Sequence, residues 1–217
     1  MCSSDLQGRP LVTRPHIAVL DYGIGNLRSA QKALEHAGAR AELTSDGAVA
    51  RDADAVVLPG VGAFGACMEA LRANGLEQVV HDAVAGGRPF LGICVGMQML
   101  FDSSEEDPGA RGLGVIPGVV KWVPAGVPRP QMQWNKLTLC TDDPMFEGLG
   151  DDPWMYFVHS LHGVPEDESD VAATVRYGST LNVAFRRRNV FATQFHPEKS
   201  ASAGLALLGN FVKVASR

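Results

Sequence analysis

Apolar and polar positions along this chain follow two different rhythms. From residue 17 a short apolar run, IAVL, ends at Asp-Tyr-Gly and predicts a buried strand. NLRSAQKALEHAG (26–38) then carries Leu27, Ala30, Ala33 and Leu34 at helical spacing, with Asn26 placed to cap the helix and Gly38 to stop it. AEL (41–43) and AVVLPG (55–60) read as the next strands, and AFGACMEALRANG (63–75) and LEQVVHDAVAGG (76–87) as helices. PFLGI (89–93) is a further strand, and VGMQMLF (95–101) opens a helix directly behind it. Strands alternating with helices of this length predict a parallel sheet covered on both faces.

The second half changes rhythm. GVVKWVP (118–124), MQWNKLTL (132–139), WMYFVHSL (154–161), VAATVRY (171–177), LNVAFRRRN (181–189) and VFATQF (190–195) are short β candidates with few helices between them. They predict antiparallel strands mixed into the parallel sheet or flanking it. A final helix, ASAGLALLGNFVKVA (201–215), sets Leu205, Leu208, Phe211 and Val212 on one face. Acidic clusters at 105–107 and 166–170 read as surface loops. The expected fold is therefore α/β, a three-layer sandwich with a mostly parallel central sheet plus antiparallel strands in the second half. Residues 1–16 read as a flexible tail and 17–217 as a single domain.

A net charge of −5 and a pI near 5.6 argue against nucleic acid or an anionic membrane surface as the main partner. No apolar run reaches membrane-spanning length, and the first residues carry no signal-peptide pattern. The four cysteines, Cys2, Cys67, Cys94 and Cys140, form no CxxC pair, which suits a reducing, cytoplasmic setting. No metal is expected, because the histidines and cysteines lack ligand spacing.

One cysteine stands apart. GICVG (92–96) has the form of a nucleophile elbow with cysteine in place of serine. A strand would end there and a helix begin, with Cys94 at its mouth, facing partial positive charge and unpaired amides. The flanking glycines would let the backbone turn sharply. The Val95 N–H would face an oxyanion formed by attack at Cys94. By itself the pentapeptide fits an inert thiol at a tight turn equally well.

A cysteine nucleophile needs a base. His36 and His81 fall on predicted helices and read as solvated or packed, and His16 sits at the tail boundary. His196 instead closes the strand VFATQF and precedes Pro-Glu-Lys-Ser. Residues two apart in extended chain share a side, so Glu198 can lie beside His196 and orient it. Cys94, His196 and Glu198 are thus the candidate catalytic triad. Gln98, one helical turn after Cys94, can face the same mouth.

PFLGICVGMQ (89–98) and QFHPEKS (194–200), with LDYGIGNLRSA (20–30), LPGVGAF (58–64) and YFVHS (156–160), resemble the class I, triad-type glutamine amidotransferases. Within them they resemble the glutaminase subunits of imidazole glycerol phosphate synthases, from about Ile17 to the C-terminus. The resemblance implies hydrolysis of L-glutamine to glutamate and ammonia through a cysteinyl thioester. Ammonia would pass through a partner (β/α)₈-barrel cyclase in a heterodimer of histidine biosynthesis, with no cofactor. It implies oxyanion donors at Val61 and Val95, in a hole incomplete until the partner binds its own substrate. It implies substrate contacts at Gly62, Gln98, Glu106, His159 and Ser160, and partner contacts at Asn26, Tyr156 and Lys199.

One segment departs from the family pattern. PHMGWN is usual, and this chain has PQMQWN (130–135), with Gln131 for histidine and Gln133 for glycine. A glutamine in place of glycine would restrict φ, close to the expected partner side. Three rivals follow. One is a paralogue feeding ammonia to another synthase, for example for sugar amination. The others are a cysteine hydrolase or peptidase on the same scaffold, and a non-catalytic interaction subunit. The intact triad speaks against the last, and LPGVGAF with Gln98 against the hydrolase.

Overall fold

In the computed structural model, residues 14–217 are described. The expectation of a tail over 1–16 falls largely outside them. His16, placed in that tail, instead begins the first strand. Its backbone N–H donates to Asp54 Oδ2 and its ring approaches Glu42 Oε2 at 3.0 Å.

The first half runs β1 (His16–Leu20), α1 (Leu27–His36), β2 (Arg40–Thr44), α2 (Gly47–Asp52), β3 (Ala55–Gly60), α3 (Phe64–Ala73), α4 (Glu77–Ala85), β4 (Phe90–Cys94) and α5 (Val95–Gln98). Six-residue α2 is too short to announce itself by periodicity. It forms because the Asp46 side chain accepts the Ala48 N–H at 2.7 Å, a standard N-cap. Asn26 precedes α1, but its side chain accepts from the Ser29 hydroxyl rather than from a helix amide.

The second half runs β5 (Ser103–Ser104), β6 (Asp107–Arg111), β7 (Gly118–Trp122), β8 (Gln131–Lys136), β9 (Thr138–Leu139), β10 (Trp154–His159), β11 (Leu161–Pro165), β12 (Val171–Tyr177), β13 (Ser179–Arg187), β14 (Val190–Thr193) and α6 (Ala201–Ala215). The stretch read as one strand, WMYFVHSL, divides at Ser160 into β10 and the start of β11. The 105–107 cluster is not wholly loop, since Asp107 opens β6, whose Asp-Pro-Gly composition hides a strand made by pairing alone.

The main sheet has the order β2-β1-β3-β4-β14-β13-β12-β9. The pairings from β2 across to β14 are parallel, and those from β14 to β9 antiparallel. Because β1 connects to β2 on one side and β2 returns to β3 on the other, right-handed crossovers set α1 and α2 on opposite faces. α6 joins α1, and α4 joins α2. This is the expected sandwich. Two smaller sheets stand beside it, the ribbon β10-β8 and the sheet β11-β7-β5-β6.

The strands β1, β3 and β4 are buried along nearly their whole length, as a sheet covered on both faces requires. α6 turns Leu207, Leu208, Phe211 and Val212 inward. Leu205, expected on that face, is only partly buried. The helix is rotated because Gly204 lies against the Pro197 carbonyl, where a Cβ would collide.

The expected helix after Cys94 is a single turn. The Met99 and Leu100 carbonyls are taken by the amides of Leu113, Val115 and Ile116, so the helical ladder cannot continue. The flanking glycines also act differently from expectation. Neither Gly92 nor Gly96 has a left-handed backbone; Cys94 itself does, at φ 55° and ψ −115°. The glycines serve close packing. A Cβ on Gly92 would meet Leu100 Cδ1 at 2.9 Å, and one on Gly96 would overlap the Leu58 carbonyl of β3.

Gly96→Ala therefore has to push α5 off β3, and stability is expected to fall by about 1–3 kcal/mol. Urea denaturation measures it, and an unchanged midpoint would remove the close-packing role.

Candidate active site

The parallel register places Gly60 beside Cys94 and Ile93 beside Thr193, so β3, β4 and β14 end together at one sheet edge. Ligand sites of open α/β sheets lie at this carboxyl edge. A cavity of about 280 Å³ opens there. It is lined by Cys94, Val95, His196, Gln98, Val61 and Gly62. Glu106, His159 and Ser160 complete the residues expected to meet substrate. Only Glu198 of the candidate site lies off the lining, behind His196.

His196 Nδ1 lies 2.8 Å from Glu198 Oε1, and both side chains are 3 % exposed. Nδ1–H donates to the carboxylate and leaves Nε2 for Cys94. Burial pulls the imidazole pKa down, but hydrogen bonds and charge from Cys94 and Glu198 outweigh it and raise it to about 10. The protonated ring is thereby favoured, with a sulfur on one side and a carboxylate on the other. The backbone fixes the ring as well. The His196 N–H donates to the Tyr156 carbonyl at 3.1 Å, and its carbonyl accepts from the Ser200 hydroxyl at 2.6 Å.

The strand end over the cavity is held from behind. Tyr22 donates its hydroxyl to the Pro59 carbonyl at 2.7 Å, and the Cys67 thiol donates to the Val61 carbonyl at 3.3 Å. Burial pushes both groups up, so each stays protonated and can donate. Gly60 must lack a side chain here, since a Cβ would meet Gly96 N at 2.7 Å and the Tyr22 hydroxyl at 2.8 Å. Glu106, read as a lining acid, has a second attachment: its Oε2 accepts the Phe64 N–H at 2.8 Å.

His159 is buried, which lowers its pKa to about 4, with the charges of His162 and His196 adding to the effect. A neutral ring has one N–H. Nδ1 uses it on the Leu161 carbonyl at 2.6 Å, leaving Nε2 an acceptor. The Gln131 amide reaches Nε2 at 3.0 Å through its oxygen. Turning that amide over, so that its nitrogen donates, suits the ring and gives a partner to a nitrogen otherwise buried without one.

Gln131 thus braces His159 from inside the protein, away from the partner side expected for it. Gln133 pairs with Phe157 in regular β8 and has no left-handed φ, so the feared strain is absent.

Sequence reasoning missed Gln194. It is buried, donates Nε2–H to Cys94 Sγ at 3.7 Å, and accepts from Gln98 Nε2 at 3.0 Å. A glutamine two before His196, in a strand otherwise made of apolar residues and Thr193, was the available signal. Tyr22, seen only in the Asp-Tyr-Gly that ends the first strand, and Cys67, within a predicted helix, were given no role. Also missed was the outer face of the β8–β10 ribbon. Trp154, Trp134 and Met132 are 53 %, 45 % and 63 % exposed. The register places Trp134 opposite Tyr156 and Met132 opposite Val158, so this apolar stripe runs to the cavity mouth.

The residues expected to meet a partner sit on neighbouring elements. Asn26 and Lys199 are exposed and Tyr156 half-buried; the turn carrying Lys199 (Pro197–Lys199) packs against both α1 and β10. Among the described residues no cluster of side chains could hold a metal ion, and no helix is long and apolar enough to cross a membrane.

Residues 18–215 match the family model for glutamine amidotransferase class-I. The imidazole glycerol phosphate synthase subunit HisH of Salinibacter ruber is 50 % identical over 200 residues, covering 89 % of this chain and 92 % of its own. The subunit of the same name from Synechococcus elongatus is 50 % identical over 206 residues, covering 93 % and 94 %. A solved glutamine amidotransferase superimposes with a TM-score of 0.74 at 25 % identity, covering 93 % of this chain and 99 % of that one.

Glu198→Gln takes away the carboxylate that helps hold the His196 proton. The imidazole of the variant is expected to titrate at lower pH than the value near 10, read by NMR of labelled histidine. The sign follows for stability too. A raised histidine pKa stabilises fully below the ordinary value of about 6.5, and that contribution fades as pH climbs through the native pKa. An unmoved titration would take Glu198 out of this role.

Proposed function

This chain belongs to the class-I glutamine amidotransferases, and from that premise we propose that it is the glutaminase subunit of an imidazole glycerol phosphate synthase. The reading rests on one observation above others: Cys94, His196 backed by Glu198, and Gln98 converge on a single cavity beside two candidate oxyanion donors.

The chemistry follows from those positions. Cys94 sulfur attacks the side-chain amide carbon of glutamine; a C–S bond forms and the carbonyl electrons move onto oxygen. The Val95 and Val61 amides stabilise that oxyanion. His196 gives its proton to the amide nitrogen, the C–N bond breaks, and ammonia leaves a thioester. The neutral imidazole then takes a proton from water as the hydroxide adds to the thioester carbon. Collapse expels the sulfur and frees glutamate, and the proton taken from water restores the imidazolium. Glu198 keeps the ring oriented throughout, and Gln98, Glu106, Gly62, His159 and Ser160 surround the rest of the substrate.

The ammonia acceptor is proposed to be a (β/α)₈-barrel cyclase, docked over the cavity mouth. The exposed stripe of Met132, Trp134 and Trp154 supports this, being large, apolar and continuous with the opening. The same reading assigns Asn26, Tyr156 and Lys199 to that docking face. A lyase assembly in the cytoplasm, with ammonia passing directly between subunits, completes the reading.

Cys94→Ala is expected to lower glutamate release on the order of a thousandfold or more while leaving cyclase binding intact. Turnover near the unaltered level would dismiss Cys94 as nucleophile. Release by the intact chain should rise roughly tenfold to a hundredfold when the cyclase and its aminoribonucleotide substrate are added. Glutamine hydrolysis indifferent to the cyclase would keep the glutaminase and point to a paralogue serving another synthase.

A further inference from the structure

Gln194 touches two residues of the site and has no part in the chemistry above. It follows β14 and is fully buried, 96 residues in sequence from Gln98 and 100 from Cys94. Its Nε2 donates to Cys94 Sγ at 3.7 Å, and its Oε1 accepts from Gln98 Nε2 at 3.0 Å.

A carboxamide has one donor end and one acceptor end, so fixing either end fixes the other. Sulfur without a proton can only accept, whether as the anion or as a thioester. It draws the N–H end of Gln194 toward itself and sends Oε1 toward Gln98. That oxygen in turn draws the N–H end of Gln98. The Gln98 oxygen, on a residue that lines the cavity, is then the end free of protein donors. A thiol donating its proton to Gln194 would run the chain backward and present Gln98 N–H groups to the cavity. Those groups would repel an ammonium.

Building on the glutaminase reading, we propose that Gln194 is a positioning residue that passes hydrogen-bond polarity from Cys94 to Gln98, so that Gln98 offers its oxygen to the α-ammonium of the substrate while the sulfur is unprotonated. The same link runs in reverse. A substrate ammonium on Gln98 favours the amide arrangement that solvates an unprotonated sulfur, as reciprocity of coupled sites demands. Glutamine lacking its α-amino group loses both effects.

The test uses the full chain bound to its partner subunit, with L-glutamine and glutaramate, the same molecule without the amino group. Each is scored by how well it protects Cys94 from alkylation by iodoacetamide, a readout that needs no turnover. A hydrogen bond to a charged group is worth about tenfold or more, so glutamine should protect at about one tenth the concentration of glutaramate.

In Gln194→Met that preference should collapse to within about twofold, from loss of the charged hydrogen bond. Gln194→Glu keeps an acceptor for Gln98 but sets a carboxylate against the sulfur. It should retain the preference while slowing alkylation of Cys94. General damage to the fold would lower protection by both compounds alike, and the Glu variant keeps the test decisive if the Met variant does not fold. A preference that survives in Gln194→Met, or is lost equally in Gln194→Glu, overturns the relay. Glutamate release is followed in parallel. Its absence beside an intact preference would sink the glutaminase reading and leave the relay standing.

Discussion

Cys94 holds a backbone conformation that a residue with a Cβ avoids, and the rest of the site is arranged by what keeps it there. Parallel pairing clamps β4 between β3 and β14, so the chain arrives at Cys94 with no freedom to drift. One helical turn follows at once, seated so close to β3 and β4 that Gly92, Gly96 and Gly60 admit no side chain. Outside the turn, the returning segment takes the carbonyls that a longer helix would have used. A strained residue persists only when its surroundings over-determine it. Here the strain turns a thiol out of the sheet edge and into the cavity.

Once the sulfur is placed, charge organises what surrounds it. His196 is buried, which would ordinarily strip its proton, yet sulfur on one side and Glu198 on the other hold it. With so short a helix behind Cys94, the macrodipole has little length over which to build, and local donors take its place. Gln194 is one such donor, and His196 another. His159, in the same cavity wall, goes the opposite way. It lacks an anion, loses its proton to burial, and becomes a neutral strut between Leu161 and Gln131.

The site and the exposed ribbon are mechanically one piece. Tyr156 accepts the His196 N–H through its carbonyl and donates its own N–H to Ser200 Oγ, while its ring packs edge-on against Trp134. A partner pressing on Trp134 and Met132 would thus bear on the strand that holds the His196 imidazole. Across the cavity, Tyr22 and Cys67 hold the carbonyls on either side of the Gly60–Val61 peptide, whose amide is the candidate second oxyanion donor. Both supports lie outside the cavity lining, Tyr22 in the turn after β1 and Cys67 on α3.

Much of this was legible in the residues themselves. The helical and strand periods announced β1, α1, β3, α3, α4, β4 and α6, because burying one face imposes a repeat. The elbow and the His196–Glu198 pair were legible because their members are close along the chain, two residues apart in the second case. The short or irregular elements were not. α2 rests on a single cap, β6 on pairing alone, and Leu205 on how far α6 rotates around Gly204. Gln131 was expected at a partner face because its segment lies there, but a strand alternates sides and sends it inward to His159. Sequence by itself therefore determined the fold class and singled out the candidate nucleophile and its candidate base, all carried by local patterns. Only tertiary structure decided that Cys94 takes the strain in place of its glycines, that Gln194 joins Gln98 to the sulfur, and that Tyr22 and Cys67 support the strand. The Gln194 and Tyr22 contacts join positions tens of residues apart, and no local pattern encodes a meeting that the packing of the whole sheet brings about.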